Sequence, residues 1–267
     1  MEFRRIFDTI PEKFDKYRVH YSPDLFAKFI DMAHITPSSS VLELGPGTGQ
    51  ATDPILDTGC DYNAIEIGDN FCGVLNRKYG DRKNFTLIHD DFITHDFGDK
   101  RFDAIYSAAT IQWIPEDVAF RKTFALLKPG GMLAMMRLIG DYKSPNEALY
   151  SRIQQVYDTW YKPNSPYKIK FGYENALNYG YVDFRRQAFH GRRVLTTDDY
   201  VNYCGTHSDH LTIPEPYKTK FFNGLREAVD EFGGTVIFND TYELMTVRKP
   251  LERWMIDVLE PEALSRK

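Results

Sequence analysis

The chain has 267 residues, 42% of them hydrophobic and 27% charged, which is the composition of a globular protein with a sizeable core. A formal net charge of -5 argues against a general nucleic-acid surface, and Cys60, Cys72 and Cys204 show no metal or redox spacing, so they read as reduced thiols. Residues 1–5 lack the apolar run of a secretory leader and no stretch approaches the ~20 apolar residues of a membrane span, so a cytoplasmic protein with no membrane partner is expected.

Residues 1–36 carry helical patterning, with Ser22-Pro23 as a helix start and Leu25, Phe26, Phe29, Ile30 and Ala33 as an apolar stripe. Strand and helix then alternate. Short apolar strands are expected at 41–44, 62–67, 85–88, 102–107 and 132–138, with helices near 50–58, 70–79 and 116–127. Leu127-Lys128-Pro129-Gly130-Gly131 reads as a helix stop and turn. Residues 144–235 differ, being richer in Tyr, Asn and Arg. They hold helical patterns at about 145–160 and 215–231, and a strand at 183–194 whose Arg185, Arg186, Arg192 and Arg193 suggest a solvated face. Gly233-Gly234 is a turn before a last strand at 235–247. The expected fold is α/β: a doubly wound, mostly parallel seven-stranded sheet with a helical cap insertion. Its organisation would be 1–140 for the N-terminal helices and cofactor-binding core, 141–235 for the cap and substrate region, 236–248 for the last core strand, and 249–267 for a tail helix. In that tail Leu251, Trp254, Met255, Val258 and Leu259 make one apolar face, which could dock on its own domain or on a second copy, so monomer and homodimer both stay open.

Chemistry concentrates in Glu43-Leu44-Gly45-Pro46-Gly47-Thr48-Gly49. A buried strand runs into a loop with glycine at every second position, where the backbone can turn sharply and approach a ligand closely. A dinucleotide fingerprint is G-x-G-x-x-G, and here the third glycine falls one residue early. Glu66 ends the second strand 21 residues beyond Gly45, where a carboxylate accepts both ribose hydroxyls. NAD-binding folds use the same device, so this acid alone does not discriminate. His89-Asp90-Asp91-Phe92 follows the third strand, and Tyr106-Ser107-Ala108-Ala109 ends the fourth.

These ordered elements resemble class I S-adenosylmethionine-dependent methyltransferases, in particular the small-molecule group of the trans-aconitate methyltransferase and methyltransferase type 11 kind. The resemblance implies a Rossmann-like core with S-adenosylmethionine as cofactor and S-adenosylhomocysteine as product. Gly45, Gly47 and Gly49 would approach the amino-acid part of the cofactor, positioned by Glu43 directly or through water. Glu66 would take the ribose, Ile67 would lie on adenine, Asp91 or alternatively Asp90 would accept from the adenine amino group, and Phe92 would pack on the ring. Ser107 would pass beside the amino-acid end. Tyr17-Arg18-Val19-His20-Tyr21 is similar to the segment that closes over the cofactor, which makes Tyr17 a cofactor contact and Tyr21 a substrate contact. Trp113, Arg137, His207 and His210 complete the acceptor side. His207, in Gly205-Thr206-His207-Ser208-Asp209-His210, would be a substrate contact or base.

No Asn-Pro-Pro-Tyr run is present, the signature of enzymes that methylate exocyclic amines of bases, and no lysine-plus-acid metal cluster is evident. No third ligand supports a two-histidine metal site, so no metal is expected. The reading is methyl transfer by in-line displacement to a small-molecule acceptor, with no nucleic-acid partner. An NAD-dependent oxidoreductase and a non-catalytic S-adenosylmethionine-binding protein are the alternatives.

Overall fold

In a computed structural model that describes residues 3–165 and 170–251, the chain begins with a 3₁₀ turn, Phe3–Thr9, followed by helices α1 (Pro11–Tyr17) and α2 (Pro23–Ala33). Strand β1 (Ser40–Leu44), helix α3 (Asp53–Leu56), β2 (Asp61–Glu66), α4 (Asp69–Tyr79), β3 (Phe85–His89), β4 (Phe102–Ala108), α5 (Glu116–Leu126) and β5 (Leu127–Asp141) follow. Then come α6 (Glu147–Trp160), β6 (Val182–Thr196), α7 (Thr197–Cys204), α8 (Ser208–Leu211), α9 (Tyr217–Glu231) and β7 (Thr235–Arg248). The expected tail helix lies outside the described residues beyond Leu251.

One seven-stranded sheet has the order β3-β2-β1-β4-β5-β7-β6. Strands β1 to β5 pair in parallel, whereas β7 runs antiparallel to both β5 and β6. The fold is thus the expected doubly wound, mostly parallel α/β sheet. Strand β5 starts five residues earlier than its periodicity suggests, because Leu127 already pairs with Phe102 ahead of a register shift.

Burial explains why the inner strands read as continuous apolar runs. Val41, Leu42 and Leu44 are fully covered, since helices close both faces of the sheet. One core joins Leu25 and Phe29 of α2, Ile55 of α3 and Leu75 of α4. A second, on the opposite face, joins Ile111, Phe120 and Leu126. A third lies under the later helices, where Ile153 and Val156 of α6 meet Tyr200 of α7, Phe221 and Leu225 of α9, and Phe238 of β7. The outer strand β6 alternates between exposed and part-buried residues. Arg185, Arg186 and Arg192 are exposed there, but Arg193 departs from the expected solvated face. It ion-pairs with the buried carboxylate of Asp240, and its guanidinium lies 5.0 Å from the Tyr203 ring and 4.8 Å from that of Phe238.

Glu43 sits in the middle of the sheet with no route to solvent. Its Oε2 accepts from Thr52 Oγ1 at 2.7 Å and from the Tyr62 hydroxyl. The Tyr62 and Tyr106 hydroxyls bond each other at 2.5 Å, and Tyr106 donates to the Ala51 carbonyl at 3.1 Å. The network ties β1, β2 and β4 to the loop before α3, and it satisfies polar groups that would be costly if left alone. Burial pushes the Glu43 carboxyl up to about 7 despite the hydrogen bonds from Tyr62 and Thr52.

That shift has a sign. The unfolded chain releases this proton near the ordinary 4.5, while the folded state keeps it to about 7, so the group's contribution to stability falls as pH rises between those values. Replacing Glu43 with Gln removes the effect. In urea titrations from pH 4.5 to 8, the difference in stability between Glu43→Gln and wild type shifts in the variant's favour with rising pH, by up to a few kcal/mol. Parallel pH profiles for the two proteins would refute this account of Glu43.

Candidate active site

A cavity of about 620 Å³ opens at the carboxyl ends of β1, β2 and β4, where doubly wound sheets bind ligands. Its size lies within the usual range for small-molecule sites, roughly 300–1,000 Å³. The glycine turn forms its floor. Gly45 has φ +60 and donates its N–H to the Ile65 carbonyl at 2.9 Å. A Cβ at Gly45 would stand 2.3 Å from Thr110 Cγ2, and the Thr110 hydroxyl donates to the Gly45 carbonyl at 2.9 Å. Ala109, a non-glycine residue at φ +57, carries the chain from the end of β4 along the wall of the cavity.

Glu66 lines the floor. Its Oε2 accepts from Gly47 N–H at 3.0 Å and its Oε1 from Gly68 N–H at 2.8 Å. Burial raises this carboxyl to about 7, against the pull of both backbone donors. Each oxygen keeps a lone pair, so ionised Glu66 can take a vicinal diol as well. Ile67, Asp90, Asp91 and Phe92 continue the wall on this side.

The N-terminal segment roofs the cavity through Arg4, Phe7, Phe14, Arg18, Val19 and Tyr21. Asp8 anchors it, accepting from Phe71 N–H at 2.7 Å and Asn70 N–H at 3.2 Å, and so caps the start of α4. Arg4 holds both oxygens of Asp91, at 3.0 and 2.6 Å, and this pairing keeps the Asp91 carboxyl below its usual range. The acid expected to serve adenine is therefore already bound by a guanidinium. Asp90 accepts from Asp91 N–H at 2.7 Å and bonds His95 Nδ1 at 2.8 Å.

Other expected contacts lie elsewhere. Tyr17 is not among the cavity's lining residues; it ends α1 with the Lys16 ammonium 5.0 Å from its ring. The chain becomes extended at Arg18, whose side chain lines the cavity instead. Glu43 belongs to the hydroxyl network inside the sheet and does not reach the cavity. Gly49 is packed against Tyr79, where a Cβ would fall 2.7 Å from the hydroxyl. Ser107 Oγ accepts from Ile111 N–H at 2.8 Å, shaping the turn after β4 rather than the wall. His210 is buried below the site: Nδ1–H donates to the Cys204 carbonyl at 2.7 Å and Nε2 accepts from the Tyr157 hydroxyl at 3.1 Å.

Tyr21, Trp113, Arg137 and His207 do line the cavity, joined by Tyr173, Tyr203 and Tyr242, which sequence reasoning missed. Arg137 ion-pairs with Glu243, and its guanidinium lies 5.5 Å from the Tyr173 ring, so its charge is answered within the protein. The His207 ring stands 4.7 Å from Tyr203 and 5.0 Å from His210. Burial and the nearby Arg18 charge hold His207 well below the usual imidazole range, so its ring is neutral near pH 7.

Cys204, His207 and His210 place their potential ligand atoms within 4.8 Å of one another. Tetrahedral zinc, with bonds of about 2.0–2.3 Å, needs such atoms about 3.5 Å apart. Both His210 nitrogens already have partners, burial pushes the Cys204 thiol up to about 12, and the Arg18 guanidinium acts on the histidines. The arrangement does not suit a dication.

Residues 42–135 match a family model described as a methyltransferase domain. Over 75 residues the chain is 37% identical to a ribosomal RNA small subunit methyltransferase A from Thermosynechococcus vestitus, covering 28% of each chain. A second protein of that name, from Pseudomonas fluorescens, is 26% identical over 40% of this chain and 39% of its own length. The chain thus spans well under half the length of the curated relatives it matches. Among solved structures, a type II methyltransferase from Anaeromyxobacter dehalogenans superposes with a TM-score of 0.61 at 15% identity, over 88% of this chain and 100% of that one. The phosphoethanolamine N-methyltransferase 2 of Haemonchus contortus, solved with S-adenosylhomocysteine and phosphomonomethylethanolamine, gives 0.56 at 16% identity, over 94% of this chain and 60% of that one. Residues 42–135 are thus similar to a methyltransferase domain, and the fold around them is shared with solved methyltransferases, one of them holding S-adenosylhomocysteine.

The clash at Gly45 makes a sharp test of the floor. Gly45→Ala should destabilise the protein by about 1–3 kcal/mol, through left-handed strain and contact with Thr110. Adding Thr110→Ala removes the Cγ2 contact, so the double variant should be more stable than the sum of the two single effects. Strict additivity in denaturation midpoints would contradict the geometry.

Proposed function

We propose that the chain transfers a methyl group from S-adenosylmethionine to a small-molecule acceptor by in-line displacement. The observation that carries this reading is a single cavity that unites the glycine turn, the doubly bonded Glu66 and the Asp90-Asp91-Phe92 wall. Glu66 would hold the ribose hydroxyls. Ile67 and Phe92 would flank adenine, beside Asp90 and an Asp91 already closed by Arg4. When bound, the cofactor supplies a sulfonium-activated methyl group.

The protein's part is then alignment, exclusion of water and removal of a proton. Tyr21, Trp113 and Tyr203 face the cavity and offer ring faces to a cation. Among the described residues, no hydrogen-bond partner engages the His207 ring, which is neutral and lines the cavity. A lone pair there can take a proton from an acceptor hydroxyl, amine or thiol. A roof made by the N-terminal segment and by α7 and α8 suits an acceptor that enters whole, and this supports a small molecule. The ribosomal RNA methyltransferases that match the core favour RNA as a second reading. In that case the residues of the roof would have to part around a base.

Incubating the protein with labelled S-adenosylmethionine, a metabolite extract and small-subunit ribosomal RNA in parallel decides between them. Label should enter the low-molecular-weight fraction; label in the RNA instead would overturn the small-molecule reading. With the acceptor so found, His207→Gln should lower turnover by about 10²–10⁴-fold while leaving S-adenosylhomocysteine affinity unchanged. Because the imidazole is held neutral, wild-type turnover at saturating S-adenosylmethionine should not fall from pH 8 to pH 6 on account of this group. Full turnover in His207→Gln would remove His207 from the reaction.

A further inference from the structure

Three arginines line the cavity, and they are not equivalent. Arg4 is paired with Asp91, and Arg137 with Glu243. Arg18 has neither an ion pair nor a side-chain hydrogen bond among the described residues. Its guanidinium lies 5.6 Å from the centre of the Phe7 ring and 5.2 Å from that of Phe14. A guanidinium carries five N–H donors in a fixed fork and remains charged when buried. Desolvation lowers the Arg18 pKa, and the Asp209 carboxylate, which lines the same cavity, opposes that shift from a distance without forming an ion pair. The acid that acts on it, Asp209, has its oxygens engaged by the Tyr161 hydroxyl at 2.5 Å and its neighbour's N–H at 3.0 Å.

The position of Arg18 indicates which ligand its charge would meet. Phe14 packs against both it and the glycine turn, since the ring edge is 3.2 Å from where a Gly47 Cβ would be. Tyr21, Tyr203, His207 and Asp209 are also near enough to interact with its charge, and all line the cavity. We infer that the methyl acceptor is an anionic small molecule whose carboxylate or phosphate is gripped by Arg18, which presents the rest of the molecule to His207. The inference rests on the methyltransferase reading for its word acceptor, but the anion seat itself does not depend on it. Planar, bidentate pairing with carboxylate or phosphate is what the guanidinium fork does best. The same pairing orients the ligand as well as binding it. A bound anion would also offset the Arg18 charge that lowers the His207 pKa, so the ring's lone pair would become more basic when the ligand is seated.

The test uses the full chain, with and without saturating S-adenosylhomocysteine, titrated calorimetrically with succinate and with inorganic phosphate. Wild type should bind at least one of these anions saturably. Arg18→Met, which keeps an apolar side chain beside the two Phe rings, should lose at least tenfold in anion affinity. Arg18→Lys, which keeps the charge without the fork, should fall between. The S-adenosylhomocysteine affinity of both variants should stay within about twofold of wild type, and this also reports that they are folded. Three results would overturn the inference: no anion binding by wild type, equal anion binding by Arg18→Met, or a tenfold loss of S-adenosylhomocysteine affinity in Arg18→Met, which would assign the guanidinium to the cofactor's own carboxylate. Failure of wild type to bind S-adenosylhomocysteine would count against the methyltransferase reading alone, because the anion titration without it stands separately.

Discussion

The Glu66 carboxylate, bonded to two backbone N–H groups from two different loops, is the contact on which the site depends. Gly47 belongs to the turn after β1 and Gly68 to the turn after β2, and one side chain fixes both. The turn at Gly47 needs φ +62, which glycine adopts without strain. A Cβ at Gly68 would fall 2.5 Å from Asp8, the residue that caps α4 and anchors the roof. Floor, wall and roof therefore meet around one acid. The same acid lines the cavity, so the group that holds the two turns is also open to a ligand.

Charge is distributed unevenly around this cavity. On the Asp91 side Arg4 answers the acid, and near β5 Glu243 answers Arg137. Beside α7 and α8 lie an unpaired cation, Arg18, and a neutral imidazole, His207, neither of which has a side-chain hydrogen bond among the described residues. Both side chains are part-buried on the cavity wall, so a polar ligand that enters the cavity can meet hydrogen-bonding groups that no protein side chain occupies. His210, only three residues from His207, shows the contrast, since both its nitrogens are engaged.

The order and type of the elements were legible because each inner strand is a short apolar run and each turn carries glycine or proline at the needed place. The glycine spacing and Glu66 likewise pointed to the cavity floor. What the motif could not tell was which way a side chain leaves its strand. Glu43 and Gly45 are two residues apart, yet Glu43 turns into the sheet, where Tyr62 and Thr52 await it. Tyr17 and Arg18 are adjacent, and the end of α1 sends only the second into the cavity. Arg4 and Asp8 carried no local signal, because their partners Asp91 and Phe71 lie 87 and 63 residues away. His207 and His210 looked alike as a loop pair, but the helical turn of α8 buries one and presents the other.

The central claim is that Glu66 makes this cavity a site for S-adenosylmethionine. Calorimetric titration of wild type with S-adenosylhomocysteine from pH 5.5 to 8.5 tests it most directly, since ribose hydroxyls donate to the ionised carboxylate, whose pKa is about 7. The account predicts one-to-one binding that weakens by up to about tenfold per pH unit below that value, and a Glu66→Ala variant that loses both the affinity and the pH dependence. Absence of binding at every pH, binding of NADH in its place, or an unchanged affinity in Glu66→Ala would contradict it.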